Sequence, residues 1–179
     1  TIYHHKLVWI HPFLDGNGRI GRLLITLFLI EKEVLTKPLL YLSSYFEKEK
    51  NLYYDNLTKV RTKNDMVQWI KYFLVGIAQT SKKAVETLSN IIALKTSTEL
   101  IIQTEFGKRI KTGYTLHNYL LKQPLVSIKE VQGVCSLSAK AAGELVSLFE
   151  EKGILKEYTG HSRNRLFAYM SYLDLFDDN

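Results

Sequence analysis

The spacing of apolar residues along the chain predicts a mainly helical protein. Apolar side chains at positions 3, 7 and 10 are typical of the last turns of a helix, and the apolar run 23–30 predicts a buried helix. An amphipathic helix is indicated over 45–57, where positions 46, 53 and 57 share one stripe. A further helix is predicted over 66–77, followed by a long helix over 78–110 that the Thr-Ser-Thr sequence at 96–98 could interrupt.

Polar residues and a proline mark where these helices start and stop. Pro38 ends the first apolar helix, because proline has no amide hydrogen to donate. The sequence Lys63-Asn64-Asp65 predicts a turn, and the Asp65 carboxylate is expected to cap the helix that follows.

The last third of the chain has a different pattern. Three helices are predicted, over about 115–122, from Ser127 onward, and over 138–152. Ser127 and Glu130 have the spacing of a capping box. Residues 153–158 and 165–169 then alternate between apolar and polar, which predicts two strands around a polar turn. The pattern therefore indicates a small α+β region after the helical one.

Composition narrows the class of protein without naming a function. The chain is 46% apolar and 23% charged, which is ordinary for a globular protein that buries a core. Its single cysteine, Cys135, excludes an internal disulfide bond and fits a reducing, cytoplasmic compartment. No stretch reaches the roughly 18 consecutive apolar residues of a membrane-spanning helix, so we expect no membrane partner.

Positive charge is concentrated in the first 110 residues. The net charge is +6, from 24 basic and 18 acidic side chains. Residues 111–179 contain eight of each, which leaves 16 basic and 10 acidic side chains in the first 110. An anionic ligand is therefore expected to bind the N-terminal part of the chain.

Residues 11–22 contain the most specific chemistry. They read His-Pro-Phe-Leu-Asp-Gly-Asn-Gly-Arg-Ile-Gly-Arg and lead directly into the apolar run. Glycines ahead of a helix let unpaired amide groups converge on an anion, and the helix dipole favours negative charge there. The segment combines a candidate base, a hard-metal ligand, three glycines and two cations, namely His11, Asp15, Gly16, Gly18, Gly21, Arg19 and Arg22. We infer phosphate chemistry with its own general base.

This segment resembles the signature of the Fic (AMPylator) family, His-x-Phe-x-Asp/Glu-Gly-Asn-Gly-Arg-x-x-Arg, and matches it at every fixed position. A turn that merely caps a core helix would need neither the histidine nor the two arginines. Members of the family transfer AMP from ATP to a hydroxyl group of a target protein. The resemblance therefore implies a protein adenylyltransferase that uses ATP and Mg²⁺ and acts on a target protein that the sequence does not identify.

The resemblance also implies a role for each matched residue. His11 would be the general base and Asp15 the magnesium ligand. Phe13 would point inward and anchor the loop in the core. The residues expected at the nucleotide, around the anion hole and the distal phosphates, are Asp15, Gly16, Asn17, Gly18, Arg19 and Arg22.

Tyr53 and Tyr54 also match the family, in which tyrosines on this helix help to form the adenine pocket. A tyrosine pair on an amphipathic helix is otherwise explained by half-buried packing, and of the two we favour Tyr54 as a ligand residue. Some relatives place an asparagine seven residues after the second tyrosine, near the nucleoside. Here that position is Arg61, so this contact is not carried over.

The C-terminal pattern resembles the winged helix-turn-helix domain that many bacterial Fic proteins carry. The implied organisation is the C-terminal part of a mainly α Fic core over 1–95, a helical linker over 96–112 and a small α+β winged-helix domain over 113–179. Arg163, Asn164 and Arg165 in the predicted wing could contact a DNA backbone. Because residues 111–179 carry no net charge, we favour protein contact or dimerisation over DNA binding for this domain.

The start of the chain bears on activity. At most one helix precedes His11, whereas Fic domains carry several helices and a β-hairpin flap before the signature. The chain thus resembles the C-terminal part of a longer protein, and we expect it alone to be a homo-oligomer that does not transfer AMP. The inhibitory Ser/Thr-x-x-x-Glu-Gly/Asn motif of some family members does not occur in this sequence.

Two alternatives to AMP transfer stay open at this point. The same site could use water to remove AMP from a modified protein. The protein could also be a DNA-binding regulator in which the Fic-like loop senses a nucleotide.

Overall fold

The computed structural model describes residues 2–37, 42–161 and 164–176. The chain divides into two compact units, Thr1–Glu86 and Thr87–Asn179. The predicted mainly helical fold with a small α+β part is confirmed. Pro38 and Arg163 lie outside the described residues, so their predicted roles stay predictions. The domain boundaries predicted at 95 and 112 also stay predictions, and the division between the units falls within a helix.

The described residues of the first unit form four short helices and the beginning of a long one. These are α1 (Ile2–Ile10), α2 (Asn17–Glu31), α3 (Leu42–Lys48), α4 (Lys50–Lys63) and α5 (Met66–Glu105). The single helix predicted over 45–57 is interrupted at Glu49, which lies in a turn between α3 and α4. The predicted stripe still faces inward, because Phe46 and Tyr53 are buried on either side of this break.

Aromatic side chains form the core of the first unit. Trp69 is completely buried and lies among Phe46, Tyr53, Tyr72 and Phe73, with ring centroids about 5 to 6 Å apart across the cluster. Such pairs add about 0.5–1.5 kcal/mol each to what burial contributes.

The prediction that 23–30 forms a helix is confirmed, but the prediction that this helix is buried is wrong. Of its apolar residues only Ile25 is buried, and Leu23, Leu24, Leu27 and Phe28 are 44–59% exposed. The described elements of the first unit pack against one stripe of α2 and leave its other faces without a partner. Much of this uncovered surface lines an apolar groove of about 510 Å³ along α1 and α2. No helix in the described part of the chain is long and apolar enough to cross a membrane.

Helix α5 begins where the sequence predicted, joins the helices predicted over 66–77 and 78–110 into one, and ends at Glu105. Its first turn is capped by Asp65, whose Oδ1 accepts a hydrogen bond of 3.0 Å from the Gln68 amide. The helix does not break at 96–98, because the Thr96 and Ser97 hydroxyls donate to the backbone carbonyls of Ile92 and Leu94 one turn earlier. Two of the three hydroxyls that could have interrupted the helix are thus satisfied within it, and Thr98 Oγ1 instead lies 2.7 Å from the Tyr169 hydroxyl oxygen.

The second unit combines the end of α5 with five shorter elements of helix and a three-stranded sheet. After a 3-10 turn at Gly107–Arg109 come α6 (Ile110–Leu120), β1 (Leu125–Ser127), α7 (Ile128–Cys135), α8 (Ala139–Glu151), β2 (Lys156–Glu157), β3 (Leu166–Ala168) and α9 (Met170–Leu173). The sheet is antiparallel with the order β1-β3-β2. The capping box of Ser127 and Glu130 is confirmed at the start of α7.

The sequence missed β1 and overestimated the length of the other two strands. Three residues are too few to show an alternating pattern. Strand β1 is held by its pairing with β3, in which Val126 lies opposite Phe167 and both are fully buried. Such a strand is specified by its tertiary partner, which a local pattern does not reveal.

Candidate functional site

The segment between α1 and α2 is a short loop with a left-handed residue at each end. The backbone amide of His11 donates a hydrogen bond of 3.0 Å to the Leu7 carbonyl. The left-handed conformation of His11, with φ = 53°, then ends α1. Gly16 has φ = 81° and forms the N-cap of α2. A glycine adopts this conformation without steric cost. The loop therefore places His11 at the end of one helix and the glycine-rich stretch at the start of the next.

The Asn17 side chain closes this loop from the inside. It is 2% exposed, accepts a hydrogen bond of 3.0 Å from the Phe13 amide, and donates one to the Phe13 carbonyl. The expectation that the Phe13 ring anchors the loop in the core is wrong, since that residue is 46% exposed. The loop is anchored through the Phe13 backbone instead. These bonds occupy the side-chain carboxamide of Asn17. Its backbone N–H takes no part in them and stays available to a ligand.

The His11 imidazole is exposed and lies against the end of α1. Its Nδ1 is 3.3 Å from the Val8 carbonyl oxygen, so the neutral ring carries its hydrogen on Nδ1 and donates it there. Nε2 then holds the free lone pair and faces no partner among the described residues. A histidine in this tautomer can accept a proton from a hydroxyl group.

The start of α2 presents three unused backbone donors. The first hydrogen bond of the helix runs from the Ile20 amide to the Gly16 carbonyl at 2.9 Å, so the amides of Asn17, Gly18 and Arg19 precede the helical ladder. Gly18 leaves this surface open, since only the Arg22 guanidinium lies within 4 Å of where its Cβ would be. The predicted anion hole thus has the donors that a phosphate requires.

Gly21 serves a different purpose from the one predicted. It is buried within α2 rather than exposed ahead of it, and a Cβ there would lie 2.9 Å from His4 Nδ1 on α1. The absence of a side chain allows α1 and α2 to approach closely. Gly21 therefore sets the distance between the two helices that the loop connects, and it offers no surface to a ligand.

The two arginines have different surroundings. Arg19 forms an exposed ion pair with Asp15 at 3.0 Å, with both side chains more than 70% exposed. Such pairs contribute little to stability, so both groups are available to a ligand. Arg22 is only 17% exposed, and its Nε donates to Ser43 Oγ at 3.1 Å. Its terminal nitrogen lies 4.0 Å from Glu47.

A buried histidine, which the sequence did not single out as part of the core, lies behind the loop. His4 is 3% exposed, bonds through Nε2 to the Tyr53 hydroxyl at 2.9 Å, and stacks on Trp69. Burial lowers the pKa of His4 to about 4, and the nearby Arg22 charge acts in the same direction. Burial raises the pKa of Tyr53 to about 12, which the Arg22 charge opposes. Both groups are therefore neutral around pH 7.

The two tyrosines of the predicted adenine pocket lie in different environments. The Tyr53 side chain belongs to the core, whereas Tyr54 is 54% exposed and lines a cleft of about 160 Å³. The cleft is bounded by His5, Val8, Trp9, Tyr54, Leu57, Thr58 and Arg61. Val8 belongs both to this cleft and, through its carbonyl, to the His11 contact. The structure thus brings Tyr54, but not the Tyr53 ring, to a surface next to the base.

A known family model matches the segment that contains this loop. The family model described as "Fic/DOC family" matches residues 1–29, which include α1, the whole loop and most of α2. This segment is therefore similar to the Fic/DOC family. The match contains the whole twelve-residue signature at 11–22.

Relatives extend the likeness beyond the Fic/DOC segment. Protein adenylyltransferase fic-1 of Caenorhabditis elegans is 31% identical over 108 residues, 60% of this chain and 19% of that protein. Its namesake from Caenorhabditis briggsae is 32% identical over 59% of this chain and 18% of that protein. Protein adenylyltransferase Fic of Drosophila grimshawi is 30% identical over 59% of this chain and 20% of that protein. The chain thus spans about a fifth of the length of the relatives that it matches.

The donor set of the Fic/DOC loop fits a nucleotide-bound cation better than a protein-held one. No group of three or more metal-ligating side chains occurs within the described ranges. Mg²⁺ keeps several waters and is commonly held by one or two carboxylates together with substrate phosphates. The exposed Asp15 carboxylate beside the α2 amides meets that requirement.

Proposed function

We propose that this chain is part of a Fic-type protein adenylyltransferase that transfers AMP from ATP to a hydroxyl side chain of a target protein. The observation that carries the proposal is the complete Fic signature over residues 11–22, held at the N-terminus of α2. The proposal is supported by relatives whose names describe protein adenylyltransferases. The target protein and the modified side chain lie beyond this proposal.

In the proposed reaction His11 acts on the attacking group. Its Nε2 removes the proton of the hydroxyl, whose oxygen forms a bond to the α-phosphorus of ATP. The bond from that phosphorus to the bridging oxygen of the β-phosphate breaks, and pyrophosphate leaves with the electron pair. A positioned general base contributes about 10²–10⁴ in rate to a step of this kind.

The start of α2 stabilises the charge that develops on the phosphates. The amides of Asn17 and Gly18 point at the anion, and Arg19 and Arg22 neutralise the distal phosphates. Asp15 would hold Mg²⁺, which supplies further neutralisation when it is bound with the nucleotide. Positioning and electrostatic stabilisation account for most of the catalysis in phosphoryl-group transfers.

The cleft beside His11 is our proposed site for the nucleoside. Tyr54 and Trp9 offer exposed aromatic surface on which a base can stack, and the cleft adjoins the helix that ends at His11. Tyr53 supports this surface from the core side, because its ring packs edge-to-face on the Tyr54 ring with the centroids 5.2 Å apart. Its contribution to binding is therefore indirect.

The C-terminal unit is proposed to be a winged helix that contacts protein rather than DNA. Its near balance of basic and acidic side chains removes most of the counterion-release attraction on which DNA binding depends. We propose a cytoplasmic location, which suits Cys135, a half-buried thiol whose pKa is raised by burial. A bacterial origin stays a prediction, and the relatives named above are animal proteins.

The proposal is tested by nucleotide binding and by AMP transfer. Calorimetry of this chain with ATP and Mg²⁺ should detect binding, and His11→Ala should leave it nearly unchanged because the imidazole handles the proton. In the longest available protein that contains this chain, intact-protein mass spectrometry after incubation with ATP should show a gain of one AMP. His11→Ala should abolish that gain.

The matched control for this test is His161→Ala, which removes an exposed imidazole in the second unit. It should preserve transfer. Loss of AMP from a previously modified protein, without gain on any other, would favour the hydrolytic alternative. Absence of ATP binding by the wild-type chain would contradict the proposal.

A further inference from the structure

Arg22 is held in place by a residue of α3 that the Fic signature does not contain. Its Nε donates to Ser43 Oγ at 3.1 Å, and its side chain is only 17% exposed. Arg19, three residues earlier on α2, is 74% exposed and pairs only with the exposed Asp15 across the described ranges. The two cations of the loop therefore differ in how far their positions are fixed before any ligand arrives.

Ser43 constrains Arg22 more strongly than its other neighbour on α3 does. Glu47 is 74% exposed and lies 4.0 Å from the guanidinium, the limit of an ion pair. An exposed pair at that distance is worth little, whereas a hydrogen bond from a charged donor at 3.1 Å is directional and roughly twice as strong as a neutral one. The Ser43 hydroxyl therefore sets the orientation of the Arg22 guanidinium.

One terminal nitrogen of Arg22 lies beside the anion hole. Nη1 is 3.4 Å from the position that a Cβ of Gly18 would occupy, so this end of the guanidinium adjoins the first turn of α2. Because Ser43 engages Nε and Nη2 lies towards Glu47, Nη1 is the nitrogen that stays available to a ligand at that turn. The buried pair His4 and Tyr53 lies within range of the same charge, which affects the pKa of each.

We propose that Ser43 is a positioning residue that preorganises Arg22 for the distal phosphates of ATP. The inference rests on the proposed function and names the residue that prepares one of its cations. Fixing a long side chain in advance removes the ordering entropy that binding would otherwise cost. Ser43 acts through Arg22 and does not itself touch the nucleotide.

The proposal predicts a loss confined to nucleotides with distal phosphates. Calorimetry of the full chain with Mg²⁺ should give a Kd for ATP that rises about threefold to tenfold in Ser43→Ala, in keeping with the typical net contribution of one hydrogen bond. The Kd for AMP should change less than twofold, because AMP has no distal phosphate. Ser43→Thr keeps the hydroxyl at an exposed position and should restore ATP binding.

Two controls separate this role from a merely structural one. Glu47→Gln removes the second neighbour of Arg22 on the same helix and should change ATP binding less than twofold. Ser43→Ala added to Arg22→Ala should cause no further loss, since the serine has nothing left to position. Far-UV circular dichroism should show the same helix content for all variants.

Specific results would overturn the inference. Equal losses of AMP and ATP in Ser43→Ala, failure of Ser43→Thr to restore binding, or a further loss in the double variant would each remove Ser43 from this role. Failure of the proposed function is recognised separately, because the wild-type chain would then show no ATP binding at all.

Discussion

Protonation of His4 should destabilise the first unit as the pH falls. The folded state holds this histidine neutral, with a pKa of about 4 against the ordinary value of 6.5, because burial of the ring against Trp69 disfavours its charged form. Below pH 6.5 the unfolded chain binds a proton that the folded chain does not. Stability is therefore complete above about pH 7 and is lost as the pH falls towards 4.

The size of the effect follows from the two pKa values. With a pKa of 6.5 in the unfolded chain and about 4 in the folded chain, proton binding by His4 lowers the free energy of unfolding by about 2 kcal/mol between pH 8 and pH 5. The loss approaches about 3 kcal/mol below pH 4. These are large fractions of the 5–15 kcal/mol that typically stabilises a domain.

Tryptophan fluorescence isolates this unit during urea unfolding. The chain has two tryptophans, Trp9 and Trp69, and both lie in the first unit. In a Trp9→Phe background the signal comes from Trp69 alone, which stacks on His4 with centroids 6.0 Å apart. The midpoint of unfolding should fall from pH 8 to pH 5.

His4→Gln should remove most of this pH dependence, and His5→Gln is the matched control. His5 is only partly buried, and although burial lowers its pKa as well, the effect should be smaller. The reasoning is refuted if the free energy of unfolding is the same at pH 8 and pH 5, or if His4→Gln keeps the wild-type pH dependence.

Three further predictions concern the metal, the C-terminal unit and the exposed apolar surface. Asp15→Ala should weaken ATP binding several-fold only when Mg²⁺ is present, because its carboxylate acts through the cation; calorimetry showing equal loss without Mg²⁺ would exclude that role. The compact unit 87–179, with eleven basic and ten acidic side chains, should bind a random DNA duplex weakly with a shallow salt dependence. A slope indicating six or more phosphate contacts would instead support DNA binding. The uncovered apolar faces of α1 and α2 should make the isolated chain oligomeric, and light scattering that reports a stable monomer at micromolar concentration would contradict this.

Local chemistry in the sequence predicted helix boundaries well. Asp65 and Ser127 cap their helices as expected, because a cap depends on residues within one turn. The signature likewise implied a loop ahead of α2, and the structure places Gly16 at its N-cap. The composition of the first turn is enough to predict these features.

Features that depend on a second helix were not predictable in the same way. The sequence gives no sign that Gly21 faces another helix or that His4 is buried. Each depends on which stripe of α2 is covered, and that is decided by tertiary packing. The missing signal for His4 was its pairing with Tyr53, 49 residues away.

The contact between Gly21 and His4 limits how this site can be redesigned. Any side chain at position 21 would meet the imidazole at 2.9 Å, so it would push α1 away from α2 and carry His11, at the end of α1, away from the cations on α2. The spacing between the base and the phosphate-binding residues is thus set by a helix crossing outside the loop. Libraries that vary loop residues to accept new substrates should therefore keep positions 4 and 21 unchanged, and a library that varies position 21 should yield variants that still bind nucleotide but have lost alignment with the acceptor.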